Sequence, residues 1–237
     1  MNTRISFAWL LAPLLALSAV AADLPTHGTN TVAALTPAAN LPKVFIIGDS
    51  ISMGYTPVVQ QKLKGIAEVS RPADNCAFTG HGLQHIHAWL GTQHWDVIHF
   101  NFGIWDTHHL NANGAIAEGP GTHPRYTPEE YRENLTKLVA ILEGTGAKLI
   151  WASSTPVTAR KGKRFEDLIE FNAVAAKLMQ AHKIPVDDLY ELVMPNVKTW
   201  DCGDGCHFLP LGYEHLGQHV ADSIQAALRA AQPTDRR

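Results

Sequence analysis

The stretch KVFIIGDSISMGY, Lys43 to Tyr55, carries four apolar residues, Val44 to Ile47, straight into Gly48-Asp49-Ser50. A short continuous apolar run bounded by a turn signal is the pattern of a buried strand. A tight turn after it accounts for the glycine, because glycine alone adopts positive φ cheaply. It does not account for the serine. Ser50 is either the N-cap of the following helix, a role serine often fills, or a nucleophile displayed at the carboxyl end of the strand. Asp49 reads as structural, bonding turn amides.

Working outward, strand and helix patterns alternate. TPVVQQKLKG predicts a helix with Pro57 in its first turn, where a missing N–H is harmless. IAEVSR follows as a second strand, GLQHIHAWLG as a short helix ending at Gly91, and WDVIHFNF as a third strand. A long Gly-, Asn- and His-containing stretch runs from Trp105 to Tyr126. Thr127-Pro128-Glu129-Glu130 then forms a capping box with proline at the first helical position. It opens a helix through YRENLTKLVAILEG. AKLIWAS is a fourth strand, FEDLIEFNAVAAKLMQAH a helix, and IPVDDLY holds a short fifth strand. The tail PLGYEHLGQHVADSIQAALRAAQ closes the chain as a helix.

Strands separated by helices predict an α/β fold with three layers, α/β/α. The expected sheet is parallel and flavodoxin-like, with about five strands in the order 2-1-3-4-5. Ligands of such sheets lie at the strands' carboxyl ends, where the strand order reverses. Ser50 follows strand one and Gly103 follows strand three, and these strands are neighbours at that point.

The first 21 residues read as a signal peptide. Arg4 precedes the apolar run ISFAWLLAPLLALSAVA, and Ala19-Val20-Ala21 supplies the small residues of a cleavage site. A leader rich in Thr, Ala, Asn and Pro spans 22–41, and the domain spans 42–237. The expected location is exported, periplasmic or secreted, with no stable membrane insertion after cleavage. The whole chain has 19 Lys and Arg against 22 Asp and Glu, a formal charge of −3, and the signal peptide removes only Arg4. Nothing in that balance suggests a general nucleic-acid binder, and no nucleic-acid partner is expected. The three cysteines are Cys76, Cys202 and Cys206. In an oxidising compartment one disulfide is expected, Cys202–Cys206 first, with Cys76 paired to either as the rival.

A second chemical stretch stands near the C-terminus, DCGDGCHFLPLGYEHLG, from Asp201 to Gly217. Asp204 and His207 are three apart in a turn, which brings the carboxylate to the imidazole Nδ1. That bond sets the tautomer and leaves Nε2 to accept a proton from a serine.

With these blocks in view, the chain resembles the SGNH hydrolases, the GDSL-type esterases, from Lys43 to Ala231. Gly48-Asp49-Ser50 matches the nucleophile block. NCAFTG, Asn75 to Gly80, is similar to the family's Asn-x-x-x-x-Gly, whose closing glycine offers its N–H to the oxyanion. Asp204-Gly205-Cys206-His207 matches Asp-x-x-His. The resemblance implies a carboxylic ester hydrolase with a Ser50–His207–Asp204 triad and an acyl-enzyme. It implies an oxyanion hole from the N–H groups of Ser50 and Gly80, and needs no cofactor or metal. The third block departs from the pattern. The family usually has Gly-x-Asn-Asp; here Gly103-Ile104-Trp105-Asp106 puts tryptophan in place of the donor asparagine. Asn101 is the candidate substitute donor, and Trp105 a candidate wall of the substrate pocket. Loss of an oxyanion donor costs on the order of a hundredfold in rate.

The expected substrate is a short O-acyl group, acetyl, on a carbohydrate. A lipase, lysophospholipase or thioesterase of the same fold is the first alternative, and a glycan-binding protein with faded catalysis the second. The histidines His81, His85, His87, His108, His109 and His123 suggest a third, a metal-dependent hydrolase. No glutamate follows His81 in the metalloprotease arrangement, so they read as surface or site-lining groups. Trp200 is open between pocket and core. The basic loop Arg160, Lys161, Lys163 and Arg164 is open between a solvated surface and a clamp for an anionic substrate.

Overall fold

The computed structural model describes residues 41–158, 161–162 and 165–230. The expected signal peptide, and the leader up to residue 40, lie outside them. Five strands make the main sheet: β1 (Lys43–Ile47), β2 (Glu68–Ser70), β3 (Val97–Phe100), β6 (Lys148–Ala152) and β7 (Val186–Asp187). All are parallel, in the order β2-β1-β3-β6-β7. By sequence rank within that sheet this is 2-1-3-4-5. A two-stranded antiparallel hairpin, β4 (His109–Leu110) with β5 (His123–Pro124), stands apart inside the stretch read as irregular.

Both faces of the sheet are covered, and the alternation of each strand shows how. Val44 and Ile46 of β1, with Ile150 and Ala152 of β6, join one apolar cluster. It includes Tyr55 and Val59 of helix α1 (Ser50–Lys62), and Leu216 and Val220 of helix α7 (Pro210–Arg229). Phe45 and Ile47, with Leu149 and Trp151, join the other. There they meet α2 (Thr79–Leu90), α3 (Pro128–Glu143) and α4 (Phe165–His182) through Ile86, Leu135 and Phe171. Each Val, Leu, Ile or Phe side chain among them, fully buried, contributes about 1.5–3 kcal/mol. A strand buried on both faces needs apolar residues at every position, which is why KVFII reads as a continuous run.

Two local readings need correction. Helix α1 begins at Ser50, not at Thr56, so Pro57 lies in its interior. Proline there removes the bond to the carbonyl of Met53. Met53 and Pro57 are both exposed, so that carbonyl is on the solvent side, where water can satisfy it. Gly48 is not at positive φ. It is required for close approach instead, since a Cβ there would lie 2.9 Å from the Ser52 Cβ.

The capping box at α3 forms as expected: Thr127 Oγ1 accepts from Glu130 N, and Glu130 Oε2 accepts from Thr127 N at 2.8 Å. The expected Cys202–Cys206 disulfide is not formed, and Cys76 is not paired to either by a disulfide. Cys206 is buried in the core, whereas Cys202 is exposed. Cys76 is buried beneath the elbow after β1, too enclosed to pair with the exposed Cys202. No helix among the described residues is long and apolar enough to cross a membrane.

Candidate active site

The elbow after β1 is held from several sides. The Gly48 carbonyl accepts from Cys76 N at 3.2 Å and from the Arg71 guanidinium at 3.2 Å. Asp49, buried, is the N-cap of α1: its Oδ1 accepts from Ile51 N at 3.0 Å. The cap role is therefore taken by the aspartate, and Ser50 is not the capping residue. Its Oγ lies 2.8 Å from Nε2 of His207.

His207 stands on a loop of tight turns between α6 (Val197–Trp200) and α7. Asp201 Oδ1 accepts from Gly203 N and Gly205 N, and both glycines have positive φ. A bridge between Asp201 and Phe208 closes the loop's base. Within it, Asp204 Oδ2 meets His207 Nδ1 at 2.6 Å, while Oδ1 accepts from His207 N at 2.8 Å and Cys206 N at 2.9 Å. Burial raises the Asp204 carboxyl, but the bonds from the imidazole and the two N–H groups outweigh it and hold it well below the usual carboxylate range. An ionised Asp204 keeps the proton on Nδ1 and turns the Nε2 lone pair toward Ser50.

Ser50 is the first residue of α1 and Gly80 the second of α2. N–H groups in a helix's first turn have no acceptor within the helix, and the helix dipole adds positive potential there. Both expected oxyanion donors thus belong to helix N-termini. The bond from Cys76 N to Gly48 O ties the approach to α2 onto the elbow. Side-chain capping of α2 comes from Asp106, which accepts from Thr79 N at 2.9 Å and Thr79 Oγ1 at 2.5 Å. Burial lifts the Asp106 carboxyl to about 7, against the pull of the Thr79 bonds and Arg125. A Cβ at Gly80 would fall 2.1 Å from the Tyr126 hydroxyl, so a larger residue there displaces that side chain or the helix start.

Asn101 is not presented to the site as a donor. Its Nδ2 is committed to the Ala152 carbonyl at 2.7 Å and to Ser154 Oγ at 3.2 Å, strapping the end of β3 to that of β6. Trp105 does border the site. Its carbonyl accepts from Arg125 Nε at 3.0 Å, and its ring meets His108 edge-on at 4.9 Å. A cavity of about 220 Å3 opens over Ser50 and His207, walled by Trp105 and Ile116 and edged by His108, Lys161 and Cys206.

Of these, His108, Ile116 and Lys161 were not singled out as site residues from sequence. His108 was one of many histidines and Lys161 one of a basic run; Ile116 gives no sequence signal. Arg160, Lys163 and Arg164 lie outside the described residues. Trp200 is buried and stacks on His215 at 4.8 Å, which settles it as core. His81 and His85 stack on each other at 4.1 Å on α2, and His87 and His123 are exposed. Among the described residues, the group of three able to converge on a metal is Asp201, Cys202 and Asp204, and it draws on none of these histidines.

The chain matches no protein-family model and no curated protein. Solved structures do match it. A lipase/acylhydrolase from Enterococcus faecalis is 23% identical, covers 78% of this chain and 96% of its own, and superposes with a TM-score of 0.65. An acetyl xylan esterase is 15% identical over 77% of this chain and 99% of its own, at 0.64. A member of the lipolytic G-D-S-L family from Veillonella parvula is 15% identical over 77% and 98%, at 0.59. The chain therefore has the three-layer fold of the SGNH, G-D-S-L-type hydrolases.

Proposed function

We propose that this chain is an exported serine esterase that removes a short acyl group, acetyl foremost, from a carbohydrate. The observation that carries the reading is the unbroken line from Asp204 through His207 to Ser50, at 2.6 and 2.8 Å. In the reaction, Ser50 Oγ attacks the ester carbonyl while His207 Nε2 takes its proton. The N–H groups of Ser50 and Gly80 receive the developing oxyanion. His207 returns the proton to the leaving alcohol, leaving the acyl group on Ser50. Water, deprotonated by the same nitrogen, then releases the acid and restores the serine.

The small acyl group is supported by the cavity, whose volume of about 220 Å3 lies below the roughly 300–1,000 Å3 of pockets for drug-sized ligands. Trp105 offers an aromatic wall suited to a sugar ring. An acetyl xylan esterase is among the structures sharing the fold. Export rests on the apolar N-terminal segment with its Ala19-Val20-Ala21 site.

The test compares p-nitrophenyl acetate with the octanoate, in wild type and Ser50→Ala, with and without chelator. The expected result is acetate turnover at least about tenfold above octanoate, insensitive to chelator and lost in Ser50→Ala. Preference for octanoate would favour a lipase. Turnover that survives Ser50→Ala but not chelator would overturn the serine mechanism. A folded wild type that binds glycans and turns over neither ester would be a binding protein.

A further inference from the structure

The cavity over Ser50 has a basic residue, Lys161, at its edge. Lys161 belongs to the segment after β6, and its neighbour Gly162 is clamped onto the β4–β5 hairpin. His109 N donates to Gly162 O at 2.7 Å, and Gly162 N donates to Glu118 Oε1 at 3.0 Å. Gly162 has a φ of +71°, and a Cβ there would lie 2.6 Å from Ile116 Cγ2, so only glycine permits the approach. The hairpin is itself secured by His109 Nε2 against Asp167 at 3.0 Å and by the bridge from Leu110 to Ile116. Lys161 is therefore carried on anchored backbone to the same cavity that Ser50 and His207 border.

Among the described residues, those lining that cavity include basic side chains, the Lys161 ammonium and the imidazoles of His108 and His207, and no acidic one. The nearby Glu118 carboxylate lies outside the lining and accepts from Gly162 N. Asp204, the nearest acid on the catalytic loop, is engaged by His207 on the far side of the ring from Ser50. The remaining walls, Trp105 and Ile116, are apolar. A neutral ester needs no ammonium at the rim, and an apolar acyl chain is poorly served by one. A sugar ring lying against Trp105, with an anionic substituent turned toward Lys161, uses all three features together.

We infer that the alcohol part of the substrate bears an anionic group, such as the carboxylate of an acylated sugar acid, and that Lys161 selects it. This rests on the esterase reading of the same site. The ammonium acts on binding and orientation and touches none of the reacting atoms. Because Lys161 is exposed, solvent screens the attraction. The expected discrimination is about tenfold in kcat/KM, equivalent to about 1.4 kcal/mol.

The experiment uses two mono-O-acetyl methyl glycosides, a glucuronoside and a glucoside, which differ only in carboxylate for hydroxymethyl. Acetate release is measured for wild type, Lys161→Met and Lys161→Glu at low and high ionic strength, with p-nitrophenyl acetate as a control. The wild type is expected to prefer the glucuronoside about tenfold at low salt, and less at high salt. That ratio should fall to within about twofold in Lys161→Met and invert in Lys161→Glu. Turnover without a preference in the wild type, or a preference that survives Lys161→Met, overturns this inference and leaves the esterase reading standing. No turnover of any of the three esters overturns both.

Discussion

Asp106→Asn tests whether the helix carrying Gly80 is capped by a carboxyl group that burial has made reluctant to ionise. Asp106 has no exposure, and burial lifts its value from the ordinary 3.8 to about 7. Between those values the folded protein holds a proton that the unfolded chain releases. Stability therefore falls as pH rises through this window, and the fall levels off above it. From about pH 5 to pH 8 the shift corresponds to a loss of about 2–3 kcal/mol. For a domain of this size that is about 5–10 °C in Tm. Asparagine keeps the acceptor for Thr79 N and Thr79 Oγ1 but has no charge to gain. Thermal melts of both proteins across that range should show the variant's Tm rising relative to wild type by about 5–10 °C. Melting temperatures that run parallel within about 2 °C would refute the claim that Asp106 is forced toward its neutral form.

Gly80→Ala places a methyl group on the Tyr126 hydroxyl and pushes the first turn of α2 away from Ser50. A loss in kcat on the order of a hundredfold is expected, with recovery in the double variant Gly80→Ala/Tyr126→Phe, where the Tyr126 Cζ position stands 3.2 Å from the new Cβ; a single variant with wild-type kcat would show that the N–H of residue 80 is not used. His219 sits 3.0 Å from buried Asp187, which also holds His99 at 2.8 Å, and its bond to Asp187 raises the imidazole against the pull of desolvation. The stabilisation is thus full below the unfolded histidine value, near 6.5, and is lost as pH rises through the higher folded value. His219→Ala should lower Tm by about 2–4 °C near pH 6 and by less near pH 9, after allowing for screening of the half-exposed ring; a gap that widens with pH would contradict the pairing. A thiol reagent should find one reactive cysteine, Cys202, in the native protein and all three after denaturation, whereas no reactive thiol before and one after would establish a disulfide.

What was readable in advance follows from where the information lies in the chain. The sheet was legible because strands buried on both faces must be apolar throughout, and the start of α3 because its cap is written in consecutive residues, Thr127 to Glu130. The line from Asp204 through His207 to Ser50 was legible because Asp204 and His207 are joined by one turn and Ser50 directly follows an apolar strand. The start of α1 was obscured by Pro57, since proline marks a first turn more often than an interior one; only the exposure of Met53 shows why the interior position is tolerated. Asn101 was misjudged as a donor because its partners, Ala152 and Ser154, lie some fifty residues away and are brought to it by the pairing of β3 with β6. Lys161 and Ile116 reach the cavity through a hairpin contact that no local pattern encodes. Long-range placement of this kind is set by tertiary packing, and sequence spacing does not carry it.

The most direct measurement of the central claim is covalent. The protein is treated with a fluorophosphonate, digested, and the adduct located by mass spectrometry, beside Ser50→Ala and His207→Ala. A serine made nucleophilic by His207 Nε2 at 2.8 Å should carry the phosphonyl group at Ser50, label far more slowly in His207→Ala, and not label in Ser50→Ala. An unlabelled wild type that melts cooperatively, or an adduct on another residue, would contradict the account.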